Sequence, residues 1–150
     1  MEKKPEMGIC KHCGQYLEIS WLRELDPEHF ENAEADYLAT RSCRCSEGRA
    51  FNEREEQREK KERERATTLA AADVVIDELF GKAAEEAGEL PMHADVRHHI
   101  REAAEMVYDG YLKKAQITDS QGITAKISLS SKDRLKIGRS ESMSVSQELI

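Results

Sequence analysis

Four cysteines are the residues of this 150-residue chain best suited to chemistry, and all lie within its first 45 positions, as Cys10-Lys-His-Cys13 and Cys43-Arg-Cys45. The first pair is followed by Gly14. In such a knuckle turn two thiolates grip one ion while backbone N–H groups point at the sulfurs, and glycine permits the positive φ that these turns often need. The second pair, with a single intervening residue, is tighter than the usual spacing but can still reach two adjacent corners of a tetrahedron. Together the four thiolates would complete the coordination of one structural Zn2+ ion, with no open position for water and so no hydrolytic role. Two other chemistries compete. A redox C-x-x-C would need a surrounding βαβ pattern, which the sequence lacks. Disulfides would need an oxidising compartment, and a bridge between Cys43 and Cys45 would strain so short a loop. His12 or His29 could stand in for one thiolate.

Little else in the sequence points to catalysis. His98 and His99 are neighbours on a predicted helix, where side chains point about 100° apart, so with His93 they read as surface histidines. Asp95 and His99 are four residues apart, with no serine or cysteine nucleophile beside them in sequence. There is no glycine-rich phosphate loop, and no carboxylate pair stands out in so acidic a chain. The expectation is a protein that is not an enzyme.

The elements that must position the cysteines are readable. Residues 15–22 alternate loosely and suggest a short strand. Asp26-Pro27-Glu28 has an N-cap residue and a first-turn proline, predicting a helix from Pro27 to about Thr40 with Phe30, Ala33, Tyr37 and Leu38 inward. Trp21 and Phe30 are expected to pack around the metal site. Ser46 can cap the next helix, whose stretch 50–66, AFNEREEQREKKERERA, has no apolar stripe and reads as a solvated rod supported by pairs such as Glu56–Lys60 and Glu59–Arg63. An apolar seam of Leu69, Ala72, Ile76, Leu79 and Ala83 continues it toward residue 87, where Gly88 and then Pro91 signal the stop. A second helix is expected over 94–115, with Val96, Ile100, Ala103, Val107 and Tyr111 on its apolar face. The short connection makes the two an antiparallel helical hairpin, and its thin core leaves room for a homodimer. From Gly122 the period changes to two. Residues 123–129 and 135–138 read as a β-hairpin with one apolar and one mildly basic polar face, followed by a serine-rich tail from Ser140 to Ile150 that is expected to fray. The expected fold is mainly α with a small β component, organised as a zinc head over residues 1–48, a long charged helix and helical hairpin over 49–116, and a β-hairpin with tail over 117–150.

Composition bounds the rest. Charged residues make up 35% of the chain and aromatics 5%, too few large side chains for a big core. Met1 to Gly8 is charged and unlike a secretory leader, and no stretch approaches the ~18 to 20 apolar residues of a membrane span, so a cytoplasmic protein is expected. The net charge of −7 argues against broad nonspecific binding to DNA. The charge is uneven, however: residues 16–40 hold one arginine against seven carboxylates, while 41–65 and the region beyond 116 are slightly basic.

The motif Cys10-Lys-His-Cys13-Gly-Gln, the later Cys43-x-Cys45, the charged helix and the closing "Ala-Lys-Ile-Ser…Leu-Lys-Ile-Gly-Arg-Ser-Glu" segment resemble small uncharacterised zinc-knuckle proteins encoded by bacterial phages and prophages. The likeness covers the first 15 residues, the second cysteine pair and residues 123–142. It implies an accessory protein acting in a bacterial cytoplasm, in phage genome metabolism or by binding and blocking a host defence, and it carries no activity to any residue. Two functions then compete. A stoichiometric protein-binding adaptor or inhibitor would use acidic residues such as Glu28, Glu31 and Glu34. A nucleic-acid-binding accessory factor in replication or recombination would use the cations of the zinc head, Lys11, His12, Arg41, Arg44 and Arg49.

Overall fold

The structure, a computed structural model, describes residues 4–141. The chain divides into two compact units, Met1–Glu62 and Arg63–Ile150, and the division falls inside its longest helix. The architecture is mainly helical with two small antiparallel sheets.

In the first unit, β1 (Met7–Ile9) pairs with β2 (Tyr16–Glu18) in the register Met7–Glu18, Gly8–Leu17, Ile9–Tyr16. The loop joining them is the Cys10–Gly14 turn, and Gly14 adopts φ +75°, as the sequence led us to expect. The strand reading of residues 15–22 holds only for its first part. From Ser20 the chain turns into a short helix, α1 (Ser20–Leu25), with Trp21 half exposed and its indole N–H donating to the Glu18 carbonyl. Trp21 therefore does not pack around the cysteines as expected.

The single helix expected from Pro27 to Thr40 is two: α2 (Pro27–Phe30) and α3 (Ala35–Ser42). The start is as read, with the Asp26 carboxylate accepting from the His29 N–H and Pro27 in the first turn. The break comes from Arg23, whose guanidinium donates to the carbonyls of Phe30, Glu31 and Ala33 and is itself held by Glu6. Carbonyls that would have bonded along a continuing helix are taken instead by a cation near the C-terminal end of α2, a favourable place for positive charge. A core of Ile19, Leu38 and Ala39, flanked by Leu17, Leu22, Phe30 and Tyr37, binds these pieces together.

The long helix α4 (Ser46–Phe80) supplies its first part to this unit and its last part to the second. The apolar seam of the sequence holds at Leu69, Ala72 and Ile76, which are buried, but Leu79 and Ala83 are half-buried and Phe80 and Ala84 take the buried places beyond Ile76. The helix stops at Phe80, short of the expected residue 87. Gly81 interrupts it, the Asp77 carboxylate accepts from the Lys82 N–H, and the short α5 (Lys82–Glu86) follows, ended by Gly88 at φ +86°. α6 (Ala94–Tyr108) runs antiparallel to α4, tied by Arg65 to Asp109 and by Arg101 to Asp73. It too is shorter than expected. Gly110, at φ +85°, turns the chain out of the helix, and the segment assigned by sequence to the helix end becomes a strand.

That strand, β3 (Lys114–Thr118), joins β4 (Ile123–Leu129) and β5 (Leu135–Glu141) in a three-stranded sheet of order β3-β4-β5, where the sequence had shown a two-stranded hairpin. A three-stranded sheet with one covered face meets the requirement that a lone hairpin fails. Its inner face, Ile123, Ala125 and Ile127 with Ile117 and Ile137, packs with Ile76, Phe80, Met92, Ile100, Ala104 and Val107 in one core. Arg139 points inward too, reaching the carbonyls of Leu79 and Leu90 across the Phe80 ring. Tyr111, expected on the α6 seam, lies beyond the helix and is exposed. Ser140, expected in the tail, belongs to β5, and the remainder of the tail reading, residues 142–150, lies outside the described residues.

Candidate metal centre

The two cysteine pairs converge. Cys10, Cys13, Cys43 and Cys45 place their sulfurs within 4.8 Å of one another, and they are the one cluster of potential metal ligands among the described residues. Cys10 Sγ lies 3.8 Å from Cys45 Sγ, and Cys13 Sγ 3.4 Å from Cys43 Sγ. A tetrahedral ion with metal–sulfur bonds of about 2.3 Å sets its sulfurs about 3.8 Å apart, so the cluster has the size of a four-thiolate metal site. The same distances are far longer than the ~2.0 Å of a disulfide, and all four cysteines are free. Cys10 and Cys43 are buried, Cys45 partly so, and Cys13 is open to solvent.

Each sulfur but that of Cys13 is met by backbone donors. Burial pushes the Cys10 thiol up, but the N–H groups of Cys13 and His12, with the neighbouring Cys13 and Cys43 side chains, outweigh it and bring the group down to about 6. Cys43 receives the N–H of Cys45, which lowers it. Burial and the crowd of neighbouring thiols prevail and push it up to about 12. Four thiols held this close cannot all ionise without a counter-charge. A divalent cation supplies that charge and displaces the protons.

Cys45 immediately precedes α4, and its sulfur accepts the Gly48 N–H at 3.2 Å while its carbonyl accepts from Arg49. The helix is thus capped by the Cys45 sulfur, in the place the sequence had given to Ser46, and its positive end faces that sulfur. Gly48 sits in a tight place. A Cβ there would lie 3.0 Å from the Cys43 Cβ and carbonyl oxygen and 3.1 Å from Cys45 Sγ. This residue was missed in the sequence, where a glycine three positions beyond the second pair was the available signal.

The loop of the first pair is fixed from α3. The Asp36 carboxylate accepts the Ile9 N–H at 2.9 Å, and the Thr40 hydroxyl accepts the Lys11 N–H at 3.0 Å while donating to the Asp36 carbonyl. Gly8 lets the strand approach: a Cβ on it would fall 2.2 Å from the Ala35 carbonyl oxygen. Asp36 and Thr40 are one turn apart on one helix face, a pairing that becomes meaningful only when β1 lies against it.

The cations proposed for nucleic acid are divided by the fold. Arg41 turns inward, donating to Asn52 and Glu59 and stacking over the rings of Phe30 and Tyr37. Lys11 faces Glu34 at 3.9 Å and His12 faces Glu47 at 3.3 Å. Arg44 and Arg49 are exposed. His29 pairs with Glu59 and lies outside the sulfur cluster, as does His12. Glu28, Glu31 and Glu34 are all exposed, but the break after α2 leaves Glu28 on α2 and puts Glu31 and Glu34 in the link before α3, instead of on one helical face. His98 and His99 both approach Glu102 on the surface of α6, at 2.8 and 3.8 Å.

No protein-family model, curated protein or solved structure matches this chain. Among the described residues no helix is long and apolar enough to cross a membrane.

Proposed function

We propose that the chain is a zinc protein without catalytic activity that works by binding another protein, as an adaptor or inhibitor of phage origin in a bacterial cytoplasm. Zinc is favoured by the donor set, since four thiolates in a tetrahedron suit it and leave no position for water or substrate. Folded protein purified without chelator should carry one zinc per chain. Folded protein with empty cysteines, or with iron in their place, would remove this part of the reading.

The observation that carries the binding role is the surplus of unpaired acid on the first unit. Lys11, His12 and Arg41 each face a carboxylate. Glu24, Glu28 and Glu31 are exposed and their carboxylates make no ion pair among the described residues, and Trp21 and Leu25 stand exposed on α1 in the same stretch of chain. Acid around an exposed tryptophan suits a partner with a basic surface better than it suits a nucleic acid. The resemblance to phage zinc-knuckle proteins supplies the cellular setting.

A tagged chain should capture a partner from bacterial lysate that survives nuclease treatment and is lost when Glu28, Glu31 and Glu34 are all changed to lysine. Capture that vanishes with nuclease, or is indifferent to the charge reversal, would overturn the proposal.

A further inference from the structure

The outer face of the three-stranded sheet belongs to neither the metal centre nor the acidic surface, and its charge is opposite to the net charge of −7 of the chain as a whole. Strand register puts nine side-chain positions on it. The first row across the sheet is Lys114, Ser128 and Lys136. The second is Gln116, Lys126 and Gly138, and the third is Thr118, Thr124 and Ser140. Acidic residues make up 30 of the 150 in the chain, yet none falls on these nine positions. The three lysines are exposed and have no ion-pair partner among the described residues. Lys113, Lys132 and Arg134 adjoin the first row at the same end of the sheet, against the single acid Asp133 in the turn.

Lysine on an edge strand often serves to prevent sheet-to-sheet aggregation. That accounts for Lys114 on β3 and Lys136 on β5. It does not account for Lys126, which sits on the central strand with both edges already paired. Standard sheet spacing places the Lys126 backbone about 8 Å from those of Lys114 and Lys136, which are about 10 Å from each other, so flexible four-carbon stems can converge on one anionic chain. Beside Lys126 the sheet is open, for a Cβ built on Gly138 would meet nothing within 4 Å. In the third row Thr118 is exposed and Ser140 half-buried, while Thr124 is buried with its hydroxyl oxygen 2.8 Å from that of Thr118.

We infer that this face binds the phosphodiester backbone of nucleic acid without reading its bases. The lysines meet phosphates, the gap at Gly138 admits the backbone, and the exposed Thr118 and Gln116 supply hydrogen bonds to phosphate and sugar oxygens. No aromatic residue stands on the face for stacking against bases, and no apolar one for insertion into a lipid surface. The site lies within the second unit and does not depend on the protein-binding role proposed above.

The test uses the full zinc-loaded chain with fluorescein-labelled duplex DNA, single-stranded DNA and RNA of unrelated sequences, read by anisotropy. Three phosphate contacts on a duplex predict a log–log salt slope near −3, about a forty-fold loss of affinity between 50 and 200 mM salt. Lys126→Gln should lower that slope by about one, and the triple change Lys114→Gln, Lys126→Gln, Lys136→Gln should remove binding while leaving the thermal midpoint unchanged. Gly138→Val, which fills the gap and leaves the charge alone, should weaken binding several-fold on a strand that valine suits. The inference is overturned if the triple variant binds as well as the parent, or if Arg44→Glu alone abolishes binding, which would place the contact at the metal head. It is equally overturned if phosphatidylserine vesicles are bound while no nucleic acid is.

Discussion

Arg41 on α3 donates to the carboxylate of Glu59 on α4, and both side chains are almost out of water, at 8% and 11% exposed. Nearby, the Tyr37 hydroxyl donates to Glu55, and Phe51 meets the Tyr37 ring edge-on at 5.7 Å. An arginine two residues before the second cysteine pair is thereby used to fasten the head to the start of the long helix. Removing one partner leaves a buried charge uncompensated, which costs about 3 kcal/mol. Arg41→Ala should lower the stability of the first unit by that order, and Glu59→Ala by a similar amount. The double variant should lose much less than the two together, which denaturant titration of the four proteins would establish.

Gly48 adjoins the four-cysteine cluster without being one of its candidate ligands. Its N–H holds Cys45 Sγ, and a methyl group on its Cα would press on the Cys43 Cβ and carbonyl oxygen and on Cys45 Sγ at 3.0 to 3.1 Å. Gly48→Ala should weaken zinc binding by about tenfold or more, as loss of such supporting groups does. Competition with a chromogenic chelator measures this directly, and unchanged affinity would show that the contact is incidental.

Gly8 makes a comparable demand on the fold. A methyl group at Gly8 would collide with the backbone of Ala35, which cannot swing away as a side-chain tip can. Gly8→Ala should cost about 1 to 3 kcal/mol, the range for forced overpacking, and should lower the thermal midpoint of the first unit.

Stripping the metal should act on one unit. The cysteines and Trp21, the sole tryptophan, both belong to the first unit, whereas the larger core of Ile76, Phe80, Ile100 and Ile127 belongs to the second. Chelation at neutral pH should therefore change Trp21 fluorescence strongly while far-UV circular dichroism keeps most of its helical signal. Simultaneous loss of both would mean that the second unit does not stand without the first.

Acid should loosen the antiparallel pair. The Arg65 guanidinium, at 2.9 Å through two nitrogens, holds the Asp109 carboxyl below its ordinary value of 3.8. A carboxyl whose folded value is depressed binds fewer protons folded than unfolded, so its contribution is complete above the unfolded value and disappears as pH falls through the folded one. Wild type should exceed Asp109→Asn in thermal midpoint at neutral pH, with the difference closing as pH drops below about 4. A difference that persists undiminished at pH 2 would assign the stabilisation to something other than this charge.

The cysteine cluster and the periodicity were legible without the fold. Cys10, Cys13, Cys43 and Cys45 could be named because a metal site demands a ligand type and a count, both of which are written along the chain. The seams of α4 and α6 and the alternation of β4 and β5 could be read because burial on one face imposes a period of 3.6 or 2. What the sequence left undecided was the allocation of each charged group to a partner, and with it the element ends. Arg23 ends α2 by taking carbonyls from three residues, and Arg41 goes to Glu59 instead of solvent. Lys114, placed by periodicity at the end of a helix, becomes part of a carboxylate-free sheet face because Gly110 turns the chain and β3 finds β4. Such choices depend on contacts between residues distant in sequence, whose free energies exceed the local propensities that one-dimensional patterns record, and so only the tertiary structure decides them.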